Sequence, residues 1–137
     1  MARILVVDDE AQVRDLLRRT LGTDGHEVIT AEDGETGLEA ATTRDIDLVI
    51  TDLIMPNKGG IVFIKELRAQ RPTMPVLAIS GGGRTGRFNF LPVAQTFPSV
   101  WSLKKPFRSA ALLAMVRDAL AGSPSLVDED MEALAGL

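Results

Sequence analysis

The apolar positions of the chain follow two alternating periods. Ile4–Val7 is an unbroken apolar run, which predicts a buried strand. Val13, Leu16, Leu17 and Leu21 then recur at helical spacing, with Arg14, Asp15, Arg18 and Arg19 between them. That pattern predicts a helix with one apolar stripe, stopped at Gly22. Glu27–Ala31 reads as a second strand. Asp33 is placed to cap a second helix running to about Thr42, with Leu38 and Ala41 facing inward. Asp47–Thr51 is a third strand, and Gly59–Arg71 is a helix with Phe63, Ile64 and Leu67 on one face, ended by Pro72. Pro75–Ser80 is a fourth strand. A short helix is expected within Asn89–Thr96, restricted by Pro92. Val100–Leu103 is a fifth strand, and Arg108–Ala121 is a last helix with Leu112, Leu113, Val116 and Leu120 as its stripe.

Five strand–helix units in succession predict an α/β fold of the doubly wound kind, a parallel sheet with helices on both faces. Such sheets bind ligands beyond the carboxyl ends of their strands. Chemistry is therefore expected in whatever follows each strand. Asp8, Asp9 and Glu10 follow the first, Asp52 the third, and Lys104, Lys105 and Pro106 the fifth; the fourth ends in Ser80 and runs into three glycines. Glu32 and Asp33, after the second, are explained by helix capping.

Carboxylates gathered at one edge repel one another. At 4 Å and an effective dielectric of 20, each like pair costs about 4 kcal/mol, a large fraction of a domain stability of roughly 5–15 kcal/mol. Either the acids take up protons or a cation sits among them. A hard divalent cation with oxygen ligands, Mg²⁺ on Asp8 and Asp9, fits that donor set. A cation together with Lys105 offers positive groups that a further anion can pair with, and a phosphoryl group is such an anion. Asp52, alone at the end of a central strand, is the expected acceptor, its carboxylate attacking phosphorus to give an aspartyl phosphate. Lys105 would pair with one phosphoryl oxygen, and Ser80 with nearby N–H groups would bond another.

Composition narrows the alternatives. The 137 residues suit one domain. A net charge of −4, from 19 acids against 15 Lys and Arg, gives no basic footprint for nucleic acid, so no direct DNA binding is expected. No apolar run reaches the roughly 18 residues of a membrane helix. The start, "MARILVV", turns acidic too soon for a secretory signal, and there is no cysteine, so a cytoplasmic location is expected. The single histidine, His26, reads as an exposed turn residue between Gly25 and Glu27.

The segments "VVDDE", "DLVITDLIMPNKGG", Ser80 after an apolar strand, and "KKPF", in that order, together resemble bacterial response-regulator receiver domains. The resemblance covers about residues 2–121. It implies a flavodoxin-like, three-layer (βα)5 sandwich with strand order 2-1-3-4-5, a receiver domain over 1–122, and a short acidic tail over 123–137. In that tail Val127, Met131 and Leu134 can line a helix. It implies Asp52 as phosphoacceptor, and Asp8, Asp9, Asp52 and the backbone carbonyl of Ile54 as Mg²⁺ ligands. Ser80 becomes the switch hydroxyl and Lys105 the phosphate-pairing lysine, with a peptide to Pro106 that is often cis in the family. A sensor histidine kinase or histidine phosphotransfer protein would donate the phosphoryl group, and a downstream protein would dock on the 88–108 face. That face gathers Phe88, Phe90, Phe97 and Trp101, either as a partner surface or as packing for an irregular helix. The family's aromatic residue three places before the lysine is replaced by Ser102, with Trp101 one place earlier, which puts an aromatic switch in question.

Two other readings share the chemistry. An aspartate-nucleophile phosphatase of the haloacid-dehalogenase type needs a second Asp two residues after the nucleophile, where this chain has Ile54. A receiver-like interaction module that takes no phosphate usually loses the acids or the lysine, and here all are present.

Overall fold

The computed structural model describes residues 1–55, 58–80 and 99–122. Within them the elements are β1 (Arg3–Val7), α1 (Ala11–Thr23), β2 (Glu27–Ala31), α2 (Gly34–Thr43), β3 (Leu48–Asp52), α3 (Gly60–Gln70), β4 (Val76–Ser80), β5 (Val100–Lys104) and α4 (Ser109–Ala121). All strand pairs are parallel and the order is β2-β1-β3-β4-β5, as the sequence led one to expect. The helix expected within Asn89–Thr96 and the acidic tail lie outside the described residues.

Strand alternation divides the core into two layers. Ile4, Val6, Leu48, Ile50, Leu77 and Ile79 point to one face, where Leu17 and Leu21 of α1 and Leu112, Val116 and Ala119 of α4 cover them. Leu5, Val7, Val49, Val76 and Ala78 point to the other, under Phe63, Ile64 and Leu67 of α3 and Ala41 of α2. The central strands are buried on both faces, which is why they read as continuous apolar runs rather than alternating ones.

Several local expectations hold and others need correction. Asp33 caps α2 as expected: its carboxylate accepts the Thr36 N–H at 2.9 Å, and Thr36 Oγ1 accepts the Asp33 N–H at 3.4 Å. Gly22 does not stop α1, which continues to Thr23; the left-handed residue that turns the chain into β2 is Gly25, at φ 86°. Leu16 is not in the core but 56% exposed, because Leu17 and Leu21 already fill the sheet-facing stripe. His26 is not an exposed turn residue. Its ring is 9% exposed, beside Asp24, and its Nδ1 accepts the Ala2 N–H at 3.2 Å.

The register aligns the carboxyl ends: Val7 lies opposite Ala31 and Thr51, Asp52 opposite Ile79, and Ser80 opposite Lys104. The N-terminus of α3 presses against the end of β3, where the Gly60 N–H donates to the Leu53 carbonyl at 3.1 Å. A Cβ on Gly60 would stand 2.3 Å from the Asp52 carbonyl oxygen and 2.5 Å from Leu53 Cα, whereas one on Gly59 would meet only the Leu53 oxygen at 3.8 Å. Gly60→Ala therefore forces apart backbone that cannot yield cheaply and should cost about 1–3 kcal/mol. Gly59→Ala, at a helix cap, should cost less than about 1 kcal/mol. Urea unfolding of the two variants beside the parent checks this ordering; equal costs would contradict it.

Candidate functional site

β1 delivers Asp8 into the crevice between the ends of β1 and β3, where the strand order switches direction. The Asp8 N–H continues the sheet pattern by donating to the Ala31 carbonyl at 3.1 Å. Its side chain turns back on itself: Oδ1 accepts the Glu10 N–H at 2.9 Å, which holds the acid-bearing turn closed. Asp8 is 1% exposed. Burial pushes its carboxyl up to about 6, the charges of Asp52 and Asp9 adding to the rise while the Glu10 N–H and Lys105 oppose it. Carboxylate oxygens of Asp8, Asp9 and Glu10 lie within 4.8 Å of one another.

β3 delivers Asp52, also buried, whose Oδ1 accepts the Ile54 N–H at 3.2 Å. β5 delivers Lys105, whose Nζ stands 3.4 Å from Asp52 Oδ2 and 3.8 Å from Asp8 Oδ2. One ammonium thus spans two carboxylates from different strands. The Lys105 N–H donates to the Ser80 carbonyl at 2.8 Å, tying the exit of β5 to the end of β4, and the Lys105–Pro106 peptide is cis. Ser80 is fully buried at that same edge.

Asp8, Asp52 and Lys105 therefore converge, with Asp9 beside Asp8 and Ser80 joined to Lys105 through the backbone. At Ile54 the amide faces the Asp52 carboxylate, while its side chain is 50% exposed. Glu10 joins the acid cluster, although the sequence reading assigned it no ligand role; its position directly after two strand-end acids was the available signal. The order Trp101–Ser102 matters because successive strand residues face opposite ways. Trp101 is buried in the layer of α1 and α4 against Leu77, Ile79, Leu112 and Val116, the face opposite the one to which Ser102 belongs. It cannot stand in for an aromatic residue at position 102. Of the expected 88–108 partner face, residues 88–98 lie outside the described residues.

Among the described residues the closely grouped donors are carboxylate oxygens, which suit a hard cation such as Mg²⁺ better than a soft metal. Asp8 gives this a thermodynamic signature. Its folded pKa lies above its unfolded value of 3.8, so its ionisation opposes folding; stability is full below about pH 4 and falls as pH rises through about 6. In the absence of divalent cation, Asp8→Asn should gain about 3 kcal/mol on the parent between pH 4 and pH 7. Adding Mg²⁺ at pH 7 should close that gap. Denaturant unfolding across pH, with and without Mg²⁺, checks both; a parent–variant difference independent of pH would contradict the burial argument.

Residues 4–117 match the family model described as the response regulator receiver domain. The transcriptional regulatory protein GlrR of Escherichia coli K12 is 36% identical over 131 residues, covering 93% of this chain and 28% of that protein. CpxR of Klebsiella pneumoniae, also a transcriptional regulatory protein, is 34% identical, with 92% of this chain and 58% of that protein covered. The chain thus spans only part of the length of these relatives. Among solved structures, the chemotaxis protein CheY4 of Vibrio cholerae superposes with a TM-score of 0.76 at 30% identity, covering 87% of this chain and 98% of that one. The fold, the strand-end acids and lysine, and these matches have one common reading: the chain belongs to the response regulator receiver domain family.

Proposed function

We propose that the protein is a phosphorelay receiver that takes a phosphoryl group onto Asp52, stores it as an aspartyl phosphate and so alters its binding to partners. The observation that carries this reading is the position of Lys105, whose ammonium lies within 4 Å of both the Asp8 and the Asp52 carboxylates. A carboxylate oxygen of Asp52 attacks phosphorus and forms the new O–P bond. The bond from phosphorus to the donor, the P–N bond of a phosphohistidine, breaks, and its electron pair leaves with the donor imidazole. Lys105 moves its pairing from the Asp52 carboxylate to a phosphoryl oxygen. Ser80 and the Ile54 N–H are placed at the same edge to donate hydrogen bonds as charge spreads over the equatorial oxygens. Asp8, Asp9, Asp52 and the Ile54 carbonyl would hold Mg²⁺, which supplies charge neutralisation and alignment of the transferred group.

This is self-executed transfer by a signalling domain rather than turnover of a small substrate. The donor is a sensor histidine kinase or a histidine phosphotransfer protein, and the output is a change in protein binding on the surface that includes β5. The names of GlrR and CpxR support a regulatory role of the same kind. A cytoplasmic location accords with this role; among the described residues no helix is long and apolar enough to cross a membrane. Neither the haloacid-dehalogenase reading nor the phosphate-free module accounts for the family match together with a complete set of acids and lysine.

Incubation with Mg²⁺ and acetyl phosphate, followed by intact mass measurement, tests the acceptor. The parent should gain the mass of one PO₃ unit, lose it on treatment with hydroxylamine, and gain none without Mg²⁺. Asp52→Asn should gain nothing. Equal labelling of parent and variant would remove Asp52 from this role.

A further inference from the structure

We infer that Arg14 is a positioning residue for the cation site, acting through the peptide that joins Asp8 to Asp9. This rests on the reading of those two acids as Mg²⁺ ligands. Arg14 lies in the first turns of α1, and its Nη1 reaches back along the helix to donate to the backbone carbonyl of Asp8 at 2.6 Å. Helical side chains lean toward the N-terminus, so this reach needs no unusual conformation.

Three contacts then define the acid turn from three directions. The Asp8 N–H is held by Ala31, the Asp8 carboxylate by the Glu10 N–H, and the Asp8 carbonyl by Arg14. The third is the one that bears on Asp9. The peptide unit is planar, so fixing its carbonyl fixes the dihedrals on either side, and these set where the Asp9 side chain leaves the backbone. Asp9 itself is exposed, so the backbone rather than burial sets its direction. If the Asp8–Asp9 peptide rotates, the Asp9 carboxylate swings away from that of Asp8.

A purely structural role explains Arg14 poorly. A cation near a helix N-terminus opposes the helix dipole, and Glu10, the residue at the cap, makes no side-chain capping bond that would compensate. The guanidinium does not fill the core; it lines an open cavity of about 490 Å³ with Gln12, Asp15, Arg18 and Thr30. Its neighbours Arg18 and Arg19 both pair with the Asp15 carboxylate, whereas Arg14 is spent on a main-chain oxygen. A planar guanidinium reaches and orients that carbonyl better than a lysine ammonium.

Two effects of Arg14 on a cation have opposite signs. Its charge repels Mg²⁺, while its hydrogen bond preorganises the ligands; the inference is that preorganisation wins. Amide NMR titration of the isotopically labelled 137-residue chain with MgCl₂ separates them, since the same spectra report folding. Arg14→Ala should weaken Mg²⁺ binding about tenfold, the range for loss of a residue that orients metal ligands. Arg14→Lys, which keeps a donor but not the planar fork, should recover only part of that loss, and should remain folded should the alanine variant fail to. Arg18→Ala, which removes a charge from the same cavity without touching the Asp8 carbonyl, should leave the affinity unchanged. Acetyl phosphate labelling of Arg14→Ala should require more Mg²⁺ yet reach the parental rate at saturation. Affinity unchanged or tightened in Arg14→Ala, or weakened equally in Arg18→Ala, overturns the inference and leaves the Asp52 reading standing. A parent that binds no Mg²⁺ overturns both.

Discussion

Asp8 and Asp52 are nearly removed from water, and the single ammonium of Lys105 lies between them. An ionised carboxylate in a low-dielectric setting needs compensation, and among the described residues one lysine divided between two acids supplies too little. The deficit grows with Asp9 and Glu10 at the mouth of the same crevice. That imbalance determines what this end of the sheet can hold. A hard divalent cation would relieve it, and cation and lysine together would then be the positive groups that face an incoming oxyanion. The raised pKa of Asp8 is the same fact seen from the proton's side, because burial makes the bare anion costly.

The rest of the fold serves to keep these ends in register. Two apolar layers, one under α1 and α4 and the other under α2 and α3, fix the height and direction of each strand. The close approach of Gly60 to the Asp52–Leu53 backbone brings α3 hard against the main chain that carries Asp52. The bond from the Lys105 N–H to the Ser80 carbonyl couples the lysine's backbone to the neighbouring strand. Packing far from the chemistry thus becomes a constraint on a few ångströms of side-chain geometry.

Much of this was legible in the sequence because the signals were unambiguous in kind. Short apolar runs alternating with helical stripes pointed to central parallel strands, and the expected strand spans differ from those found by a residue or so at their ends. Asp33 announced a helix start through its position before a polar, small-residue turn. The failures share a cause, since each depended on where a neighbour lies in space. Leu16 fits the helical stripe as well as Leu17 does, but only the sheet decides which of them is covered. His26 looked exposed because nothing in its turn reveals that the backbone of Ala2 runs alongside. Gly22 and Gly25 are equivalent as letters, and the backbone placed the left-handed turn at the second. Arg14 stood in the pattern only as one of the polar residues between the stripe positions, since a main-chain acceptor six residues away leaves no mark there. The chemical content of the site was readable for a simpler reason: the strand-end rule places it before any contact is known.

The central claim is that the strand-end carboxylates Asp8, Asp9 and Asp52 share one cation. Crystals of the protein soaked with Mn²⁺, a visible substitute for Mg²⁺, test it directly through the anomalous signal. The account predicts one dominant peak bonded to Asp8 or Asp9 and to Asp52, at a metal–oxygen distance of about 2.1 Å. A peak held by surface acids away from Asp52, or none at saturating Mn²⁺, would contradict it.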